Sequence, residues 1–232
     1  TEAPTGVTCL RYVLRDRSYS EASLQKQFRQ MLRRSRERLS FRPLDWNELA
    51  TQGPRVLDAS KARHGVPSRV RADIWREACA LGAATGDVGA LGCLDGDTLA
   101  GFAIFLELDG GRMVIHSSVD PAYFPVGAAN LLLFEGARYL IGQPGCAFVS
   151  YGHSGFPEMT TVGRFKRHAG LGEEPMRVAF LLHPRWRWLR GVERATRGFT
   201  TLGRIAARQR RLADPLAGIG AAAATDPALL PA

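Results

Sequence analysis

Residues 110–172 read GGRMVIHSSVDPAYFPVGAANLLLFEGARYLIGQPGCAFVSYGHSGFPEMTTVGRFKRHAGLG. Arg112 to Val119, after the turn at Asp109-Gly110-Gly111, reads as a strand, which Asp120-Pro121 ends. Ala122 to Gly127 is loop. Ala128 to Ile141 carries Leu131 or Leu132, Glu135, Ala137 or Arg138, and Leu140 or Ile141 on one broad, mostly apolar side, the period of an amphipathic helix. Gly142-Gln143-Pro144-Gly145 closes that helix. Cys146 to Tyr151 is short and apolar, too short for a helical pattern, and reads as a second strand. A polar loop from His153 to Thr161 and a short helix from Val162 to Ala169 follow. The order is strand, helix, strand, then a loop that closes a site.

Working outward on the N-terminal side, Val88 to Cys93 and Thr98 to Leu108 are strands separated by Asp95-Gly96-Asp97, a strong hairpin signal. Asp109-Gly110-Gly111 is a second turn, so residues 88–119 form an antiparallel meander. Its middle strand, AGFAIFLEL, is apolar for most of its length and takes a central place. Further upstream, Val7 to Arg15 reads as a strand. Glu21 to Leu39 reads as a helix with Ser20 as cap and Leu24, Phe28, Met31 or Leu32, and Leu39 on its buried stripe. Leu39 to Leu44 is strand-like. Leu44 to Asp58 is helical with a break at Gly53-Pro54, where Pro54 opens a new first turn. Ser68 caps a helix over residues 69–81 with Val70, Ile74, Trp75, Ala78 and Leu81 on its apolar line.

On the C-terminal side, Met176 to Leu182 is a strand ended by His183-Pro184. Trp186 and Trp188 are expected to cover the core edge, with contact to a partner as the alternative, and a basic helix follows. The fold class is α/β, mixed α+β with a mostly antiparallel sheet. Residues 1–212 make one domain: a helical N-terminal part (16–82), a sheet core (88–182) and a basic helix (190–212). Residues 213–232 form a flexible tail.

Bulk properties agree with a single globular domain. The chain has 232 residues, 45% hydrophobic and 23% charged, enough for a sizeable core without staples. Cys9, Cys79, Cys93 and Cys146 show neither a CxxC pair nor a zinc spacing, so buried free thiols in a cytoplasmic setting are expected. The opening TEAPTGVTCL lacks an initiator Met, as after trimming, and lacks the pattern of a signal peptide. No apolar run reaches the length of a membrane span. The net charge is +9, concentrated in Arg29, Arg33, Arg34, Arg36, Arg38 and Arg42 and again between Arg185 and Arg211. Each cluster is either a solvated surface or a field for polyanions.

Several chemistries lack their motifs. There is no GxGxxG after a strand and no GxxxxGK[ST], which removes support for nucleotide hydrolysis and dinucleotide redox. The five histidines are dispersed, with no HExxH and no carboxylate cluster, so no metal site is expected. Gly152-His153-Ser154-Gly155 does not have the GxSxG spacing of a nucleophile elbow.

The meander, the segment DPAYFPVGAANLLLFEGARYLIG, then CAFVSYG and VGRFKRHAG together resemble the GNAT superfamily. The resemblance is to the branch of FemAB-like transferases and their acyl-CoA-using relatives, and it covers roughly residues 88–182. Tyr151-Gly152 takes the place of that branch's aromatic-Gly pair, and Gly163-Arg164-Phe165-Lys166 to Gly170 that of its G-x-F-K-x-x-x-G segment. The resemblance implies a GNAT-like acyl-CoA N-acyltransferase fold and direct transfer of an acyl group from an acyl-CoA thioester to a small-molecule or peptide amine. It implies acetyl-CoA or a longer acyl-CoA as donor and no metal. An aminoacyl-tRNA donor, with tRNA as partner, is the alternative, and a non-catalytic binding module a third reading. A homodimer is compatible with all three.

Under that resemblance Lys166 faces the donor carbonyl or its phosphate; otherwise it is a solvated helix lysine. His116 interrupts an apolar strand and is a candidate acceptor of the amine proton, or a hydrogen-bonded strand histidine. Glu107 is a candidate base, or an edge carboxylate paired with Arg112. Tyr151 is a candidate acid. Ser117 and Val119 on the strand, with Gly127, Ala128 and Ala129 in the loop and helix start, are the expected donor contacts. Ser118, Tyr123, His153 and Phe165 are the expected substrate contacts. The family loop carries a second glycine and no proline; here Pro125 removes an amide, so the loop resembles the degenerate ones of tRNA-dependent relatives.

Overall fold

The computed structural model describes residues 6–63, 65, 71–154 and 160–179. The chain runs β1 (Gly6–Leu14), α1 (Lys26–Arg36), β2 (Ser40–Pro43), α2 (Trp46–Arg63), α3 (Ala72–Ala84), β3 (Val88–Asp95), β4 (Thr98–Leu108) and β5 (Gly111–Val119). It continues with α4 (Ala128–Gly142), β6 (Phe148–His153), α5 (Thr160–His168) and β7 (Gly172–Ala179). Short 3-10 turns lie at Glu21–Ser23 and Pro121–Tyr123. The strands form one sheet in the order β2-β3-β4-β5-β6-β1-β7. All neighbours are antiparallel except β5 and β6. This is the expected mixed class, and the meander is β3–β4–β5.

Each face of the sheet carries its own apolar cluster. On one face α1 and α4 pack through Phe28, Leu32, Leu131, Phe134 and Leu140 onto Leu91, Ala103 and Val149. On the other, α2 and α3 bring Leu49, Val56, Leu57 and Cys79 onto Ala90, Leu94 and Phe102. Both sides of β4 are therefore covered, which is why AGFAIFLEL reads as a continuous apolar run rather than an alternating one.

The structure corrects several local expectations. The helix expected from Glu21 starts only at Lys26, after the 3-10 turn, and the Ser20 side chain makes no capping bond. Instead the Gln25 N–H donates to the His168 carbonyl at 3.0 Å, tying the start of α1 to the end of α5. Helix α2 passes through Gly53-Pro54 without a break. Gly53 lies against Trp75 of α3, where an added Cβ would come within 2.8 Å of the indole. The Trp75 indole N–H donates to the Leu49 carbonyl at 3.0 Å. Tertiary packing here outweighs the hydrogen bond that proline removes. On α3, Ile74 and Leu81 are 54% and 64% exposed and Ala78 is exposed too, so among the described residues only Trp75 of the expected apolar line faces inward, joined by Cys79. The Ser68 cap, the residues after Ala179, Trp186, Trp188, the basic helix 190–212 and the tail 213–232 lie outside the described residues.

All four cysteines are buried and free. Part of the α1-proximal basic cluster is neutralised by the fold. Arg36 pairs with Glu21 and Glu135, Arg38 with Asp95, and Arg42 with Glu48.

Candidate active site

The sheet opens where the parallel pair β5–β6 comes apart. β5 and β6 pair only through Gly111–Phe148, Arg112–Val149 and Met113–Ser150. Beyond Met113, β5 stays with β4, while β6 stays with β1 through Ser150–Val13 and His153–Arg11. The strands diverge, and a cleft of about 280 Å³ fills the gap.

A β-bulge shapes the β5 wall. Pairing with β4 shifts between Ile104–His116 and Phe105–Val114, so Ile115 is the extra residue. The bulge reverses the alternation of side chains. Val114, Ser117 and Val119 lie opposite Phe105, Ala103 and Gly101, on the α1/α4 face, whereas His116 and Ser118 lie opposite Ile104 and Phe102, on the α2/α3 face. Without the extra residue Val114 and His116 would share a face. Ile115 is 54% exposed, and its backbone is released from the β4 ladder at the cleft mouth.

The rest of the lining comes from α4 (Ala129, Leu133), β6 (Tyr151) and α5 (Val162, Phe165, Lys166). Helix α5 is held close by Gly163, where an added Cβ would sit 2.4 Å from the Tyr12 hydroxyl oxygen. Phe165 packs against Phe28 of α1, with the ring centroids 5.5 Å apart and the planes tilted by 36°. These contacts fix Lys166 one residue further on. Its Nζ donates to the Tyr151 carbonyl at 2.5 Å and lies 4.6 Å from the centroid of the Tyr12 ring. Burial pushes the Lys166 ammonium down to about 8. One proton of the ammonium is committed to Tyr151, and the group lines the cleft with donor capacity to spare.

His116 is a second titratable group of the wall. Its ring stacks on Phe102 at 5.5 Å, and its Nε2 is buried without a hydrogen-bond partner. Burial first, and the Lys61 charge second, lower its pKa, so the imidazole is neutral at pH 7.

The other expected site residues divide clearly. Ser117, Val119, Ala129 and Phe165 line the cleft with Lys166 and His116. Tyr151 lines it too, but its hydroxyl donates to the Leu133 carbonyl at 3.1 Å, and burial raises its pKa far above the ordinary value. Its group nearest Lys166 is the carbonyl. Glu107 stands at the β4–β5 turn, away from the lining, paired with Arg112 at 2.8 Å. Ser118 is buried on the α2/α3 face. Tyr123 packs beneath the Arg38 guanidinium at 5.6 Å, and exposed His153 holds the Ser154 carbonyl through Nδ1 at 2.8 Å. Gly127 caps α4 at φ 80°, and its N–H is spent on the Phe124 carbonyl. An added Cβ there would lie 2.8 Å from the Met31 carbonyl oxygen, so glycine is required twice over. Ala128 is fully buried. The first-turn amides of α4 thus stand beside the cleft, preceded by a loop that offers few donors of its own.

Sequence reasoning did not single out Val114, Ile115, Leu133 or Val162 as lining residues. Leu133 and Val162 lie on helices already visible in the sequence, at positions that the pattern did not single out. Nothing in the sequence marks the bulge at Ile115, because Val114-Ile115 reads as ordinary strand.

The family whose sequence model matches is described as the acetyltransferase (GNAT) domain, over residues 22–167. The chain belongs to the GNAT family. The β5–β6 divergence, the bulge and α4 therefore sit in a GNAT acyltransferase domain. No curated protein matches the sequence. Among solved structures, FemX is similar with a TM-score of 0.59 at 9% identity, over 77% of this chain and 63% of that one. The C-terminal domain of a putative lysylphosphatidylglycerol synthetase from Agrobacterium fabrum has a TM-score of 0.54 at 13% identity, over 74% and 60%. A conserved protein of unknown function from Bacteroides thetaiotaomicron has a TM-score of 0.53 at 11% identity, over 75% and 62%. These identities establish likeness of fold, and the chain spans less than two thirds of each of these structures. Among the described residues no helix is long and apolar enough to cross a membrane, and no group of three His, Cys, Asp or Glu is placed to hold a metal.

Proposed function

We propose that this GNAT domain transfers an acyl group from a coenzyme A thioester to an amine, in the cleft between β5 and β6. The observation that carries this is the pairing of an apolar lining with one desolvated lysine. Val114, Ile115, Val119, Leu133, Val162 and Phe165 form a wall for an acyl chain and pantetheine arm, and Lys166 supplies the charge. The first turn of α4 at Ala129 receives the donor phosphates, as helix-end amides do.

In the reaction the acceptor nitrogen attacks the thioester carbonyl carbon. Negative charge develops on the carbonyl oxygen, where the Lys166 ammonium, anchored on Tyr151, stabilises it. His116 Nε2 takes the proton lost by the nitrogen. The C–S bond breaks, the amide carbonyl reforms, and the departing thiolate is protonated to the free thiol by His116 or water.

A second reading has one observation in its favour. Pro125 lacks an amide and the Gly127 N–H is already bonded, so the loop is a meagre pyrophosphate cradle, and an aminoacyl-tRNA donor would not need one. Against it, no carboxylate among the described residues lines the cleft to meet an aminoacyl ammonium, and Lys166 repels one. Calorimetric titration with acetyl-CoA and longer acyl-CoAs, joined to thiol-release assays, tests the first reading. Micromolar binding of at least one thioester is expected, and no binding of any coenzyme A ester overturns it.

A further inference from the structure

We propose that the acceptor is an amine carrying an anionic group, which Lys61 of α2 holds beside His116. This rests on the acyl-transfer reading above and concerns the acceptor half of the same cleft. The bulge at Ile115 turns His116 toward the α2/α3 face while Val114, Ser117 and Val119 keep the opposite one. Donor and acceptor therefore approach from different sides of the sheet, and the acceptor's side is that of α2.

The surroundings of His116 on that side are specific. Its ring stacks on Phe102, which belongs to the same buried cluster as Leu57. Lys61 stands one helical turn beyond Leu57 on the same stripe of α2 and is half-buried, at the edge of that cluster. Its charge reaches the imidazole. Other cations at this end of α2 are engaged. Arg55 donates to Asp120 at 2.5 Å and to the Leu99 carbonyl, and Arg63 lies 4.6 Å over the Phe124 ring. Lys61 makes neither an ion pair nor a hydrogen bond among the described residues, and His116 Nε2 has no partner either.

A half-buried cation next to an orphaned buried nitrogen is an unfavourable pair in isolation. One ligand relieves both: an amine whose nitrogen meets His116 and whose anion meets Lys61. A carboxylate, as in an amino acid, and a phosphate, as in an amino phosphate, share this chemistry. With no carboxylate among the described lining residues, the acceptor itself brings the missing negative charge.

The test uses the full chain, acetyl-CoA and two matched acceptor pairs, tyramine against tyrosine and ethanolamine against phosphoethanolamine. Free thiol is the readout. The anionic member of at least one pair is expected to show kcat/KM about tenfold or more above its neutral partner. Which pair responds separates carboxylate from phosphate. Lys61→Gln should cut that anionic-to-neutral ratio by about tenfold through KM, and Lys61→Arg should restore most of it. Turnover with ratios near one in both pairs, unmoved by Lys61→Gln, overturns the acceptor assignment and leaves the acyl-transfer reading standing. Absence of acetyl-CoA binding and of thiol release with all four amines overturns both.

Discussion

Lys166 joins two properties that pull in opposite directions. Its ammonium is desolvated, which brings its pKa down to about 8, yet it is held charged near neutrality by the Tyr151 carbonyl and the Tyr12 ring. A lysine whose folded pKa lies below its unfolded value binds fewer protons folded than unfolded. Stability therefore rises with pH between about 8 and the ordinary lysine value near 10.4. Below that window the buried charge is a cost. Lys166→Met should then remove at least about 100-fold of kcat, the scale of a lost oxyanion contact, without lowering the melting temperature at pH 7. Any stabilisation of the variant should shrink as pH rises from about 8 to about 10. Thiol-release kinetics and thermal melts across that range read both quantities, and a variant that loses activity only because it melts early would contradict the argument.

His116 completes the residue scale with the opposite requirement. It must be neutral to accept a proton, and burial lowers its pKa below the usual 6.5, so it is ready at pH 7. Lys166 must stay charged. Activity should rise with pH through the depressed His116 value and fall as pH passes about 8, giving a bell whose alkaline limb belongs to Lys166. Lys166→Arg, which cannot deprotonate in this range, should flatten the alkaline limb in whatever activity remains. An alkaline limb of the same midpoint in that variant would assign it elsewhere. The sequence identified both residues as candidates, but not what brings them to one cleft. Lys166 is placed by Gly163 and Phe165 packing on Tyr12 and Phe28, and His116 by a bulge with no sequence marker.

At the scale of elements, legibility followed locality. The β3–β4–β5 meander was readable because Asp95-Gly96-Asp97 and Asp109-Gly110 are turn chemistry written into consecutive residues. The β5–α4–β6 unit was readable because its helix has a clear apolar side. Helix α2 was misread at Gly53-Pro54 because what holds it together is Trp75, 21 residues or more away on α3. The short reach of α1 was missed because its start is set by a bond to His168. The turn at Gly127 shows the same coupling of loop to distant helix. It requires a left-handed backbone, and Met31 of α1 leaves no room for a side chain. Gly127→Ala should cost about 1–3 kcal/mol of unfolding free energy, as strain plus close contact. It should also weaken coenzyme A ester binding, because the first turn of α4 shifts with it. Denaturant melts and calorimetry measure the two effects, and an unaltered midpoint would show that the turn relaxes freely.

For the whole molecule the deciding quantity is the distribution of its +9 charge. The sequence showed how much charge there is, but not how much is spent internally. Arg36, Arg38 and Arg42 are engaged by Glu21, Glu135, Asp95 and Glu48, so the cluster near α1 is a weaker field than its arginine count implies. Arg33 reaches Glu21 only at 3.8 Å. A coenzyme A ester presents a few phosphate charges at one end, so its affinity should fall gently with salt, with a log–log slope of magnitude about 1–2. A tRNA donor would engage many phosphates at once and lose on the order of 1000-fold in affinity between about 50 and 200 mM salt. Titrations of acetyl-CoA and of charged tRNA over that range separate the two readings by slope rather than by a single affinity. A gentle slope with the thioester, and tRNA binding no tighter than to an unrelated protein of similar charge, is the expected outcome. A steep slope with charged tRNA, together with no thioester binding, would move the donor assignment to the aminoacyl ester.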